Sequence, residues 1–255
     1  HFPDIPTVEG EKISLPAEPL HYMIDRCVFA ITQEESRYTL NGALIILNPN
    51  SITFVTTDGH RLVFIAKNVE VAGVSGETRA LIPRKTLVEL NKLATGPSES
   101  VDFGRSENHL FFEGAGRLLI SRVLTGQFPN YEMVIPKEND KKAVLDTLEF
   151  NDALKRVAIM ADEHSRAVRL SLKEGQLDIF STTSEVGEAK ESVPVTYQGE
   201  SLEIGFNALY VLDFLSKLDS EKVEINLRDR ETQGLFKPNP DGDYNHQYVV
   251  MPMGL

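Results

Sequence analysis

Ala43-Leu44-Ile45-Ile46-Leu47, Asn48-Pro49-Asn50, Ile52-Thr53-Phe54-Val55-Thr56, Asp58-Gly59 and Arg61-Leu62-Val63-Phe64-Ile65-Ala66 follow one another with almost nothing between them. Three short apolar, β-branched runs broken by Asn-Pro and Asp-Gly spell strands joined by tight turns, an antiparallel meander. The same grammar returns at Gly114-Ala115-Gly116, between strand patterns over 110–113 and 118–123, and at Lys173-Glu174-Gly175-Gln176, between 168–172 and 177–181. Strands and helices do not alternate as a parallel βαβ fold requires. The predicted class is therefore α+β, with antiparallel sheet and two helices in each unit.

Working outward, the meander belongs to a repeat about one domain long. The stretch from Ser36-Arg37-Tyr38 to Thr56-Thr57-Asp58 is echoed from Ser165-Arg166-Ala167 to Thr182-Thr183-Ser184. Upstream of the first copy, Leu20, Met23, Ile24, Cys27 and Ile31 keep helical spacing; upstream of the second, Leu154, Val157, Ala158 and Ala161 do the same. A second helix follows each copy, ending in Val88-Glu89-Leu90-Asn91-Lys92-Leu93 and in Asp213-Phe214-Leu215-Ser216-Lys217-Leu218. Each half is expected to close on a strand carrying a hydrophobic-Pro pair, Ile135-Pro136 and Met251-Pro252. Two domains of one fold thus lie in tandem, with expected boundaries at 10–136 and 144–255 and a charged linker at 137–143. Phe2-Pro3-Asp4 looks like Phe128-Pro129-Asn130 at the end of the first unit, so residues 1–9 read as the remnant of a further unit upstream.

The bulk composition narrows the function. A chain of 255 residues suits two domains with their own cores. No run of eighteen apolar residues is present to span a bilayer, and the single cysteine, Cys27, falls on an apolar helix stripe, where it reads as a small buried hydrophobe. Both features suit a soluble protein of the reducing cytoplasm. A formal charge of −12 argues against wrapping nucleic acid over the whole surface, though it leaves room for one basic face. The helix patterns carry Arg26, Lys85, Lys92, Lys155, Arg156 and Lys217, so the negative excess falls mostly on strands and loops; solvated helix faces ordinarily mix charges in this way too.

The six histidines show no metal-ligand spacing, and the glycines form neither a phosphate loop nor a dinucleotide fingerprint. No cofactor is expected. Thr57-Asp58-Gly59-His60-Arg61 gathers a carboxylate, an imidazole and a guanidinium, but no nucleophile sits in an elbow context nearby. The simpler reading is a turn at Asp58-Gly59, with His60 and Arg61 opening the next strand.

Arg37-Tyr38-Thr39-Leu40-Asn41-Gly42, Thr57-Asp58-Gly59-His60-Arg61-Leu62, Ile82-Pro83-Arg84-Lys85, Gly126-Gln127-Phe128-Pro129-Asn130-Tyr131, Ile204-Gly205-Phe206-Asn207 and Tyr248-Val249-Val250-Met251-Pro252-Met253 together resemble the bacterial DNA sliding clamp, the beta subunit of the replicative polymerase. The likeness runs through the whole chain in order. It implies tandem clamp domains, the second and third of three, in a protein whose head-to-tail dimer closes a ring around duplex DNA. It also implies a processivity factor without catalysis, acting in the cytoplasm at the nucleoid. Arg26, Lys85, Lys92, Lys155, Arg156 and Lys217 become DNA-facing candidates, while Ile159, Met160, Glu185, Glu188 and Glu191 match the ring interface.

The resemblance further implies an apolar pocket for short linear peptides of polymerases, the clamp loader and repair proteins. Its residues here are Leu40, Thr57, Gly59, His60, Arg61, Leu62, Pro129, Val134, Asn207, Tyr210, Val249, Val250, Met251, Pro252, Met253 and Leu255. Two positions depart from the pattern: Gly254 stands where many clamps have Arg, and Met133 where the pocket edge is often basic. Two other readings remain beside this one, a peptide-binding scaffold with no DNA role and a hydrolase centred on Asp58 and His60.

Overall fold

The computed structural model describes Pro6 and residues 10–34, 36–183 and 187–254; Phe2-Pro3-Asp4, Glu185 and Leu255 lie outside them. The chain divides into two compact units, His1–Pro129 with Asp243–Asn245, and Asn130–Gly242 with His246–Leu255.

Unit 1 runs β1 (Ile13–Pro16), α1 (Ala17–Cys27), β2 (Gly42–Asn48), β3 (Ser51–Thr57), β4 (Arg61–Asn68), β5 (Thr78–Pro83), α2 (Arg84–Ala94), β6 (Ser100–Arg105), β7 (His109–Gly114) and β8 (Arg117–Arg122). Its strands form two antiparallel arrays, in the orders β1-β6-β7-β8 and β5-β2-β3-β4. Pro16 and Pro83 end strands with fixed φ and lead directly into helices, a turn made by ring geometry without any side-chain cap. Helices α1 and α2 pack together and are tied by His21 Nδ1 and Asn91 Oδ1, 2.7 Å apart. Leu20, Met23, Ile24 and Cys27 from α1, and Leu87 and Leu90 from α2, are fully buried beneath them. Burial pushes the Cys27 thiol above its ordinary range, helped by the charge of Asp25; it is a core atom.

Unit 2 repeats the plan: β9 (Lys141–Asp146), α3 (Thr147–Ala158), β10 (Ala167–Lys173), β11 (Gln176–Thr183), β12 (Gly187–Pro194), β13 (Leu202–Asn207), α4 (Ala208–Leu215), β14 (Lys222–Leu227), β15 (Gly234–Asn239) and β16 (Tyr244–Val250). The arrays are β12-β11-β10-β13 and β16-β15-β14-β9. Here side chains start the helices: Asp146 accepts from the Glu149 amide and Asn207 from the Leu209 amide, at 2.8 and 2.9 Å. Phe214 stacks on Tyr248 at 4.7 Å, and Phe236 meets Phe206 edge-on at 5.6 Å.

Several expectations are corrected by the structure. Ile31 and Ala161 are buried but lie beyond their helices, because the last turns tighten to i−3 bonds: Ile31 N–H donates to Val28 O, and Ala161 N–H to Ala158 O. For the same reason α4 stops at Leu215, with Lys217 and Leu218 bonding back three residues. Ile135-Pro136 is not on a strand. The amides of Val134 and Ile135 both donate to Tyr131 O, which coils the segment into a 3-10 turn over Tyr131–Met133, and Pro136 has no N–H to offer a ladder. Met251-Pro252 likewise follows the end of β16 at Val250, and His60 belongs to the turn, since β4 starts at Arg61.

Candidate functional site

The expected peptide-docking residues fall into two sets, one in each unit. In unit 1 they centre on the turn between β3 and β4. Gly59 takes φ +92°, a left-handed conformation that favours glycine, and a Cβ there would come within 2.5 Å of Arg37 Nη1. Asp58 organises everything else: its Oδ1 accepts from the His60 and Arg61 amides at 2.9 and 3.1 Å, and its Oδ2 from Arg61 Nε at 3.0 Å. The Thr57 hydroxyl donates to Arg61 O at 2.6 Å and accepts from the Gly59 amide at 3.1 Å. Arg61 also reaches Phe29 O at 3.0 Å with its second nitrogen, and Arg37 Nη1 donates to Asp58 O at 2.8 Å. Leu62 is buried behind the turn, Leu40 is half-buried in a 3-10 turn, and Pro129 is exposed.

This arrangement answers the acid-base reading of Asp58 and His60. The carboxylate is spent on two amides and a guanidinium, so it is a cap and an ion-pair partner, not a base aimed at a histidine. Arg37 and Asp58 were absent from the expected site. Their signal was local, an Asp three residues before Arg with a Gly between, whereas the Arg37 contact spans a sequence separation that no pattern announces.

In unit 2, Asn207 caps α4 and so fixes the start of the helix that carries Tyr210. Tyr210 O accepts from the Tyr248 hydroxyl at 2.8 Å, joining that helix to β16. Val249 and Val250 are buried, while Met251 is 43 % exposed and Pro252 and Met253 half-buried. The Met253 amide donates to Gly205 O at 2.8 Å, which pins the C-terminal segment beside β13. Val134 is half-buried, with its carbonyl accepting from Gln233 Nε2 at 2.9 Å. Met133 is 81 % exposed and Gly254 is exposed, so neither offers a charge at its position. Of two open clefts of unit 2, about 400 and 600 Å³, the smaller is bordered by Met133, and neither is lined by the docking residues named above.

The cationic candidates differ in how free they are. Lys85 and Lys155 are exposed on α2 and α3. Lys92 pairs with Glu89 at 2.8 Å, and Arg156 holds Glu191 of β12 through both Nε and Nη2, the latter at 2.7 Å. Arg26 is folded back, its guanidinium 3.5 Å from the Tyr22 ring centroid and its side chain only 12 % exposed. Lys217 is half-buried after α4. Among the interface candidates, Ile159 is 79 % exposed at the end of α3, Met160 is half-buried, and Glu188 is exposed on β12, the terminal strand of its array.

Among the described residues, no group of three His, Cys, Asp or Glu could hold a metal ion, and no helix is long and apolar enough to cross a membrane. Residues 14–130 match the family described as DNA polymerase III beta subunit, central domain, and residues 132–254 its C-terminal domain. The beta sliding clamp of Pseudomonas putida is 38 % identical, over 99 % of this chain and 69 % of that protein. A sliding clamp from Pseudomonas aeruginosa solved with a ligand superposes with TM-score 0.91 at 36 % identity, over 99 % of this chain and 69 % of that one. A second structure of a Pseudomonas aeruginosa clamp, bound to griselimycin, gives TM-score 0.93 at 35 % identity, over 100 % and 68 %.

Proposed function

Since this chain belongs to the DNA polymerase III beta subunits, the bacterial sliding clamps, which are processivity factors without catalysis, we infer that it supplies the central and C-terminal domains of a ring closed around duplex DNA. The domains are assigned to 10–136 and 144–255, with the charged linker from 137 running into β9, whose ladder with β14 starts at Lys141. Such a ring tethers polymerase, clamp loader and repair proteins at the nucleoid in the cytoplasm through short linear peptides. The docking residues are the two sets named above, extended by Leu255. DNA is held topologically, so weak contacts from Lys85, Lys92, Lys155, Arg156, Lys217 and Arg26 suffice and permit sliding, where tight base-specific contacts would arrest it.

The observation that carries the docking reading is the turn at residues 57–62. The Thr57 hydroxyl, the Asp58 carboxylate and the Arg61 guanidinium are all engaged in holding it, so it presents a preorganised surface to a ligand. Ring closure is assigned to Ile159, Met160, Glu185, Glu188 and Glu191, which require a first domain on the partner. The test compares chain lengths. By light scattering this chain is expected to be a monomer at micromolar concentration. A longer chain with an upstream domain is expected to be a dimer, retained on closed circular duplex and released when the DNA is linearised. A stable closed dimer of the present chain, or retention indifferent to linearisation, refutes the topological reading.

A further inference from the structure

Asp178 stands in the middle of β11 and is 1 % exposed, yet it is not among the residues that pack under the helices. Its neighbours Leu177 and Ile179 are buried on the side of the sheet that α3 covers, so strand alternation turns Asp178 to the opposite face. Three strands converge on its carboxylate. Ser192 Oγ of β12 donates to Oδ1 at 2.5 Å and Gln176 Nε2 of β11 at 2.6 Å; Lys173 Nζ of β10 donates to Oδ2 at 3.1 Å. A second ammonium, Lys190 Nζ of β12, lies 3.8 Å from Oδ2 and 4.9 Å over the Phe180 ring.

Two of these partners come from β12, a strand paired with β11 and terminal in the array β12-β11-β10-β13. The opposite face of β12 is anchored as well, since Glu191 receives Arg156 from α3. A terminal strand held by ladder bonds on one side alone is the part of a sheet that frays or slips most readily. Apart from Val193 and Val195, side chains along 187–195 are polar or small, so apolar packing supplies little restraint there. The polar anchors on its two faces supply the remainder.

We propose that Asp178 is a positioning residue for ring closure: by gathering Ser192 and Lys190 it holds β12 in register, so that the free edge of the strand meets a second copy of the protein as a rigid surface. The proposal rests on the ring reading above and adds a residue that touches no expected interface side chain. Removing the carboxylate leaves two ammonium groups facing each other with no counter-charge between them. Lys190 then swings out, and in Asp178→Asn β12 keeps on that face only the Ser192 bond, now to a neutral acceptor and weaker.

The test uses hydrogen exchange on this chain and dimer dissociation on the longer one. Asp178→Asn is expected to raise amide exchange over residues 187–194 about tenfold, equivalent to roughly 1.4 kcal/mol of local opening, with 202–207 unchanged. In the longer chain it is expected to raise the dimer dissociation constant about tenfold while peptide affinity stays as in the wild type. Unchanged exchange in β12, or a rise shared by β13, overturns the positioning role. If the wild-type longer chain forms no dimer, the ring reading itself falls; if it dimerises and Asp178→Asn dimerises equally well, only the role of Asp178 falls. Should Asp178→Asn fail to fold by circular dichroism, Ser192→Ala decides: it removes a single donor and is expected to raise exchange in the same segment about threefold, and no rise refutes the proposal.

Discussion

Deleting residues 251–255 is expected to separate docking from folding. The last strand ends at Val250, and Tyr248, Val249 and Val250, which anchor it in the core, remain in place. What the deletion takes from the described fold is the backbone bond from Met253 N–H to Gly205 O, together with the partial cover of Pro252 and Met253. One such bond contributes about 1 kcal/mol net, a small part of the roughly 5–15 kcal/mol of an ordinary domain. The truncated chain is therefore expected to stay folded. Binding is affected more, because Met251 at 43 % exposure, with Pro252 and Met253, forms an apolar wall available to a ligand. An aliphatic anchor gains about 1.5–3 kcal/mol on burial. Losing half the enclosure of two such anchors costs at least about 1.4 kcal/mol, a tenfold weakening. Fluorescence anisotropy with a labelled peptide rich in Gln, Leu and Phe measures this against an intact-chain affinity expected on the order of micromolar. Undiminished affinity with unchanged circular dichroism would place docking elsewhere, and loss of the folded state would refute the view that these residues only border the core.

Three further outcomes follow from the geometry. Asp58→Ala removes two amide caps and a shielded ion pair from the turn, and is expected to lower stability by about 2–3 kcal/mol in urea unfolding and to weaken peptide binding; Asp58→Asn, which keeps the Oδ1 acceptor, should recover part of both. Lys85→Glu with Lys155→Glu tests DNA contact more cleanly than any change at Arg156, whose loss would also release Glu191; the pair is expected to weaken non-specific duplex binding and reduce the salt slope by about 2, leaving peptide affinity intact. Desolvation alone would raise the Asp178 carboxyl, but hydrogen bonds from Ser192, Gln176 and Lys173 and the Lys173 charge outweigh it and bring it down from 3.8 to about 2. A depressed carboxyl stabilises above its unfolded value and ceases to as pH falls, so about 2 kcal/mol should vanish between about pH 4 and pH 2, and the acid limb of Asp178→Asn should be flatter there.

The meander from Gly42 to Asn68 was legible because its information is local: continuous apolar runs mark the strands, and the two tight turns between them fix their register without help from the rest of the chain. The helix stripes around Met23, Leu90 and Leu154 were legible for the same reason, one face repeating at helical period and buried as a whole. The docking residues were assigned from the family likeness, and no local pattern in the chain singles them out. Strand β12 was not legible, since Gly-Glu-Ala-Lys-Glu-Ser-Val-Pro has almost no apolar alternation; it is a strand because β11 offers a ladder and Asp178 and Arg156 hold its faces. The hydrophobic-Pro pairs misled in the opposite direction, reading as strand where a 3-10 turn and a chain end prevail. Nor did the row of helix cations disclose that Arg26 lies against Tyr22 while Lys85 is exposed. Composition and period determine which elements form and which face each buries, because those are short-range sums along the chain. Which charge meets which partner depends on distances between residues far apart in sequence, and those exist only once the chain has folded.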